Sequence, residues 1–250
     1  MSEHRKRAIC SLLKGIETGD PASVTVVSPD RYVQHNPQTR EGGEGLAALF
    51  KRLAASSPRV NIVRVFSDRD FVFAHTEYDF DTRRIGFEIF RFEGEHTVEH
   101  WDNIQPRRGP NASGHSMVDG PTEAVQQDCT ERNRERVRAF VEDVLIAGRL
   151  DALPEYIDAG AYTEHNPDRD DDPATLQALL ADPARVDYRR LHRVLADGNF
   201  VLAVTEGSMK GVHTSFFDLF RLEAGKLVEH WDTIEAVPPR EQWLNDNGKF

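Results

Sequence analysis

The feature that most limits what this chain can fold into is that it is written twice. Tyr32-Val-Gln-His35-Asn36-Pro37 recurs as Tyr162-Thr-Glu-His165-Asn166-Pro167, an offset of 130 residues. The segment that starts at Phe87, FEIFRFEGEHTVEHWDNIQ, recurs from Phe217 as FDLFRLEAGKLVEHWDTIE at the same offset, with ten of nineteen aligned pairs identical. Between them, the stretch from Asp70 to Glu77 answers Asn199 to Glu206, one residue out of step. Three matches in one order mean tandem duplication, so one fold must accommodate both halves. A chain of 250 residues is long enough for two compact domains.

Each copy opens with apolar residues at helical spacing, from about Glu3 to Ile16 and from Thr130 through Val137, Phe140, Val141, Val144 and Leu145. Thr130 and Asn133 are candidate N-caps, and Gly19 and Gly148 are natural stops. A short helix is expected after each HNP motif, around Leu46–Leu53 and Thr175–Leu180. Strands follow, at Val60–Phe66, Phe71–Asp79, Gly86–Phe92 and Thr97–Gln105 in the first copy, with turns at Glu93-Gly94 and Ala224-Gly225. Helices first and an antiparallel meander after them is the α+β pattern. We expect a first domain over 1–105, a linker over 106–122 rich in Pro, Gly, Ser and Asn, and a second domain over 123–250 that includes the C-terminal tail. The linker and the tail resemble each other loosely, and both are expected to lie over a domain.

Charge narrows the function. The formal net charge of −11 argues against a nucleic-acid partner and against anionic membranes. The N-terminal apolar stretch is broken by Lys14 and Glu17, too early for a secretory signal, and no segment is long and apolar enough to span a membrane. Cys10 and Cys129 do not occupy equivalent positions, which suits a reducing cytoplasm better than a disulfide framework.

The last strand of each copy carries the chemistry. Side chains alternate along a strand, so His100 and Asp102 share one face while Glu99, Trp101 and Asn103 share the other. With a hairpin loop from Glu93 to His96, Phe87 pairs with Asp102, which places Phe87 and Ile89 beside Asp102 and His100 as pocket lining. Phe217, Leu219, His230 and Asp232 repeat the arrangement. Burial among apolar groups raises a carboxylate's pKa and makes it a better base near neutrality. His35 and Asn36, with His165 and Asn166, are further candidates, although an Asn before Pro also serves as a turn or cap. His75 lies in an otherwise apolar strand and is replaced by Val204 in the second copy, which also carries an acidic run, Asp168 to Asp172. Both differences favour the first copy as the functional one.

These residues carry a resemblance. YxxHNP followed by FRxExGxxVEHWDxI resembles the SnoaL-like, polyketide-cyclase-like branch of the nuclear transport factor 2-like superfamily, over nearly the whole chain. The resemblance implies two tandem cone-shaped α+β barrels, each a curved antiparallel sheet wrapped by helices around a pocket. It also implies an intrachain pseudo-dimer through the Trp101 and Trp231 faces, with room for a further homodimer. The activity it implies is cofactor-free aldol chemistry with an acidic residue as general acid/base, and the matching carboxylates are Asp102 and Asp232.

Two functions follow as alternatives. One is a small-molecule enzyme that abstracts a proton next to a carbonyl, with Asp102 as base and His35, Asn36 and His100 bonding the developing enolate oxygen. The other is a non-catalytic module that binds an apolar ligand or serves assembly. An open pocket with Asp102 near His35 would favour the first, and a centre packed shut the second. We expect no cofactor and no nucleotide. A metal site built from His35, His75 and His100 or Asp102 could not be reproduced in the second copy, and no metal ligands are expected.

Overall fold

The structure is a computed structural model that describes residues 2–250. The chain divides into two compact units. The first comprises residues 1–107 and 238–250, and the second residues 108–237. This corrects the expected boundaries. The tail from Pro238 belongs to the first unit, and the segment read as a linker belongs to the second. The physical reason lies in hydrogen bonds described below, which tie each segment to the HNP loop of its unit.

In the first unit, helix α1 (Ser2–Thr18) buries Ile9, Leu12, Leu13 and Ile16, an i, i+3, i+4, i+7 stripe. It ends at Gly19, whose φ of +66° suits a glycine, with the Gly19 amide donating to the Gly15 carbonyl at 2.8 Å. A two-residue strand β1 (Val33–Gln34) and helix α2 (Gly42–Ala54) follow. Strands β2 (Arg59–Asp68), β3 (Phe71–Asp79), β4 (Arg83–Glu93) and β5 (His96–Pro106) form an antiparallel meander, and β1 adds in parallel to β5. The second unit repeats the order. Helix α3 (Thr130–Phe140) runs into a π-helical turn, Val141–Ile146, and a short helix α4 (Leu153–Tyr156) follows. Then come β6 (Thr163–Glu164), α5 (Pro173–Leu180), β7 (Val186–Asp197), β8 (Phe200–Met209), β9 (Val212–Glu223) and β10 (Lys226–Ala236). Asp172 caps α5, accepting from the Ala174 amide at 2.9 Å with Pro173 behind it. Neither Thr130 nor Asn133 is the N-cap of α3. The residue before α3 is Cys129, which makes no side-chain cap. Each unit has the α+β architecture expected from the resemblance, a five-stranded sheet with helices on one face.

Register decides which side chains share that face. Val72, Phe90 and His100 lie abreast across β3, β4 and β5, as do Ala74, Glu88 and Asp102. Val72, Ala74 and Phe90 pack with the α1 stripe, so His100 and Asp102 sit on the helix-covered face. The expected pairing of Phe87 with Asp102 is wrong by one residue. The turn is two residues long, with Glu93 opposite His96, and a β-bulge at Val98 separates the Phe92–Thr97 pair from the Arg91–Glu99 pair. One inserted residue flips every later side chain to the other face. Phe87 therefore stands opposite Asn103 and Ile89 opposite Trp101, away from Asp102. The second unit has the same bulge at Val228, which places Phe217 opposite Thr233 and Leu219 opposite Trp231. Phe87, Ile89, Phe217 and Leu219 do not line the centre that holds the aspartates.

His75 is corrected with them. It pairs with Phe87 and stacks on its ring at 4.5 Å, again on the Trp101 face, as does Val204 opposite Phe217. The replacement of His75 by Val204 is therefore a difference of that face and says nothing about the acid-bearing one.

Candidate functional site: a buried acid–histidine centre in each unit

In the first unit, β1 pairs in register with β5 so that Gln34 lies beside His100. The Gln34 Oε1 accepts from the Asn36 amide at 2.8 Å, which fixes the orientation of its side-chain amide. The same oxygen lies 2.9 Å from His100 Nδ1, so Nδ1 donates the proton there. His100 Nε2 then faces Glu88 Oε2 at 2.7 Å, and Tyr78 donates its hydroxyl to Glu88 Oε1 at 2.6 Å. One proton must lie between the imidazole and the carboxylate, because a lone pair facing an ionised oxygen at that distance is repulsive. Burial holds the Glu88 carboxyl above its usual range, against the opposing pull of His100. Asp102, 5% exposed, accepts from Asn36 Nδ2 at 2.6 Å and from Lys249 Nζ at 3.4 Å. Lys249, itself 3% exposed, arrives on the C-terminal tail. Asn36 also accepts the Gln38 amide through Oδ1 at 2.8 Å, so it is both a turn residue and a partner of the acid.

The tail is tied down along its length. Asn245 Nδ2 donates to the Asn36 and Thr39 carbonyls at 2.8 and 2.9 Å, Asn247 Nδ2 donates to the Gln34 carbonyl at 3.1 Å, and the Leu244 amide donates to the Pro37 carbonyl at 2.7 Å. His35 is held on the other side of this loop. Its Nδ1 donates to the Gly248 carbonyl at 3.0 Å, its Nε2 meets Glu99 Oε1 at 2.9 Å, and its ring stacks on Trp101 at 4.6 Å. Burial raises the Glu99 carboxyl, but hydrogen bonds from His35 and Arg91 outweigh it and bring the group down to about 2. His35 is thus turned away from Asp102, because neighbouring residues of an extended strand point to opposite faces. The inward residue of the motif is Gln34, which the sequence reading passed over.

The second unit repeats the frame with different charges. Glu164 stands where Gln34 does, and His230 Nδ1 lies 2.9 Å from Glu164 Oε1 while its Nε2 lies 3.1 Å from Asp218 Oδ1. Arg169 bridges Glu164 and Asp232, at 2.9 Å from Nε and 2.7 Å from Nη2. Asn166 Nδ2 donates to both Asp232 oxygens at 2.9 and 2.7 Å. Burial works against a charged His230, yet Glu164 and Asp218 outweigh it and push the imidazole up to about 10. Burial also works against an ionised Glu164, and Arg169 and His230 overcome it to hold the carboxyl far below the usual range. Asp218 is raised by burial. Its Oδ2 has no partner among the described residues, since Gly207 occupies the position equivalent to Tyr78. A Cβ on Gly207 would lie 2.0 Å from the Asp187 carbonyl oxygen, so no larger residue fits. His165, like His35, faces outward, with Nδ1 donating to the Ser116 carbonyl at 2.7 Å, Nε2 at 2.9 Å from Glu229, and its ring on Trp231 at 4.6 Å.

Most of the acidic run after Pro167 is paired. Asp168 pairs with Arg108, Asp171 lies 3.1 Å from His115 and accepts the Glu164 amide, and Arg169 inside the run supplies the buried cation. Asn111 Nδ2 donates to the Glu164 carbonyl at 2.6 Å, tying the 108–122 segment to this loop. Two open grooves of about 630 and 610 Å³ lie apart from both centres. One is lined by Lys14, Glu17, Pro58 and Arg59, the other by Leu153, Ile157, Pro173 and Lys226.

The metal set weighed from sequence does not come together, because His35 and His75 lie on the wrong face. Another does: ligand atoms of Glu88, His100 and Asp102 lie within 4.8 Å of one another, as do those of Asp218, His230 and Asp232. Neither suits a cation well. His230 is held as a donor at both nitrogens, and Lys249 and Arg169 set a positive charge against each aspartate.

No protein-family model matches the chain, and no curated protein matches it. Solved structures similar to it include TsrD from Streptomyces laurentii, 19% identical with a TM-score of 0.37, over 41% of this chain and 89% of that one. An LEH-like epoxide hydrolase of M. tuberculosis is 20% identical with a TM-score of 0.34, over 42% and 84%. An NTF2-like protein of unknown function from Mesorhizobium loti is 20% identical with a TM-score of 0.37, over 47% and 98%. Each similarity spans less than half of this chain, the length of one repeat. Among the described residues, no helix is long and apolar enough to cross a membrane.

Proposed function

We propose that the first unit is a cofactor-free acid/base centre for a small carbonyl compound, with Glu88 and His100 as its proton-transfer pair. The observation that carries this reading is the 2.7 Å contact between His100 Nε2 and Glu88 Oε2, in a buried setting that raises the carboxyl. A carboxylate brought toward neutrality can take a proton from a carbon next to a carbonyl and return it, and positioned acid/base groups are worth roughly 10²–10⁴-fold in rate. Asp102 and Asn36 take the role of orienting the substrate oxygen and its proton. Asp102 was the base expected from sequence, and this reading transfers that role to Glu88. Both Cys10 and Cys129 are free thiols, in keeping with a cytoplasmic protein.

For the second unit the non-catalytic reading is the better one. Glu164, Arg169, Asp232 and His230 satisfy one another as a closed lattice of charge, with His230 held protonated on both nitrogens. The test of both readings is α-proton exchange into small ketones and 1,3-diketones in deuterated water, followed by NMR. Glu88→Gln should cut exchange at least a hundredfold, and Asp218→Asn should leave it intact. Exchange that survives Glu88→Gln, or that no carbonyl probe supports above the buffer rate, would overturn the proposal.

A further inference from the structure

A buried lysine amine stands in the first unit where the acid/base reading requires only a charge. Lys249 Nζ is 3.4 Å from Asp102 Oδ1, longer than the 2.6 Å at which Asn36 holds the other oxygen of the same carboxylate. On the same face, Tyr32 is 3% exposed and lies parallel to the His100 ring, and its hydroxyl has no hydrogen-bond partner among the described residues. Burial, with Glu88 and Asp102 adding to it, holds the phenol protonated. The counterpart Tyr162 is spent on Glu164 Oε2 at 3.0 Å. The first unit therefore combines a primary amine, a carboxylate beside it, an unoccupied phenol and a second acid that shares its proton with a histidine.

From this grouping we infer that Lys249 is a covalent catalytic residue that forms an imine with the small ketone or aldehyde substrates of the first unit. This deepens the acid/base reading and rests on it. The steps balance. The Lys249 ammonium passes one proton to Asp102, and the free amine adds to the carbonyl carbon, breaking the C=O π bond, after which the proton given up by the nitrogen passes to the oxygen to give a neutral carbinolamine. Loss of that oxygen as water, with a proton from Asp102, leaves a protonated imine between Nζ and the substrate carbon. Glu88 then removes a proton from the adjacent carbon, the C–H pair becomes the C=C bond of the enamine, and the C=N π pair moves onto the nitrogen. Return of the proton and addition of water reverse the sequence and release the carbonyl compound. A lysine in a desolvated site is suited to this chemistry, and the unpartnered Tyr32 hydroxyl is a donor for the departing oxygen. Arg169, which provides the cation in the second unit, cannot form an imine, so the inference applies to the first unit alone.

The test is reductive trapping on the full chain. The protein is equilibrated with acetone or acetaldehyde, treated with borohydride, and digested, and alkylation at each of the six lysines is measured by mass spectrometry. Exposure alone would label Lys14, Lys51 and Lys210 first and Lys249, the most buried, last. Preferential labelling of Lys249, lost on acid unfolding and reduced severalfold in Tyr32→Phe, is the expected result. Lys249→Arg keeps the cation beside Asp102 and should abolish both trapping at that position and α-proton exchange. Lys249 labelled no faster than surface lysines would overturn the inference. So would Lys249→Arg exchanging α-protons at the wild-type rate, and in that case the acid/base reading would stand without the imine. Trapping at Lys249 without any exchange would keep the imine and overturn that reading.

Discussion

The two centres share a backbone frame and differ in the partner of the histidine Nδ1 and in the cation beside the aspartate. In the first, the partner of His100 Nδ1 is the neutral Gln34, and the cation near the aspartate is Lys249 on a separate segment. In the second, the partner of His230 Nδ1 is the anionic Glu164, and the cation is Arg169, five residues along the same loop. One glutamine-to-glutamate difference turns a histidine that shares a proton with a single acid into a cation clamped between two. The comparison teaches that charge, more than shape, separates the two centres. A buried imidazolium held between two acids releases no proton at neutral pH.

The comparison breaks most readily at Arg169. Arg169→Met leaves Glu164 and Asp232 buried without their counter-ion and should destabilise the second unit by about 3–5 kcal/mol in urea unfolding. Lys249→Met leaves Asp102 its Asn36 bond, and about 1–3 kcal/mol is expected. Equal losses would mean that the two cations do the same work.

Next comes pH. The His230 imidazole is raised from 6.5 to about 10 in the folded state, so its contribution is fully present below pH 6.5 and is lost as pH rises through about 10. That contribution is on the order of a few kcal/mol. Urea midpoints followed across this interval should fall in the wild type and flatten in His230→Gln. A midpoint that holds steady to pH 10 would remove the imidazolium from the second centre.

Gln34→Glu sharpens the comparison by giving the first unit the second unit's partner. Its expected result is loss of α-proton exchange, read by NMR. The smallest effect is expected at the tyrosines. Tyr162→Phe removes a bond to Glu164 and should cost about 1 kcal/mol, whereas Tyr32→Phe removes a hydroxyl without a partner and should be near neutral for stability.

The duplication, the order of elements and the assignment of His100 and Asp102 to one face of the last strand were all legible in the sequence, because repeats and strand alternation are local patterns. His35 was misread for a related reason. The HNP motif draws attention to its histidine, while a two-residue strand points Gln34 and Asn36 inward and the histidine outward. Glu88 and Asp218 carried a signal that went unused, an acidic residue at equivalent places in two otherwise apolar strands.

What the sequence determined by itself is the repeated α+β fold and the presence of an acid and a histidine two residues apart at its last strand. Only the tertiary structure decided which neighbours they meet. A one-residue bulge at Val98 and Val228 set the register, and a bulge is a property of paired strands that periodicity within one strand cannot reveal. Lys249 reaches Asp102 across 147 residues of chain, and contacts of that separation exist only once the chain has folded.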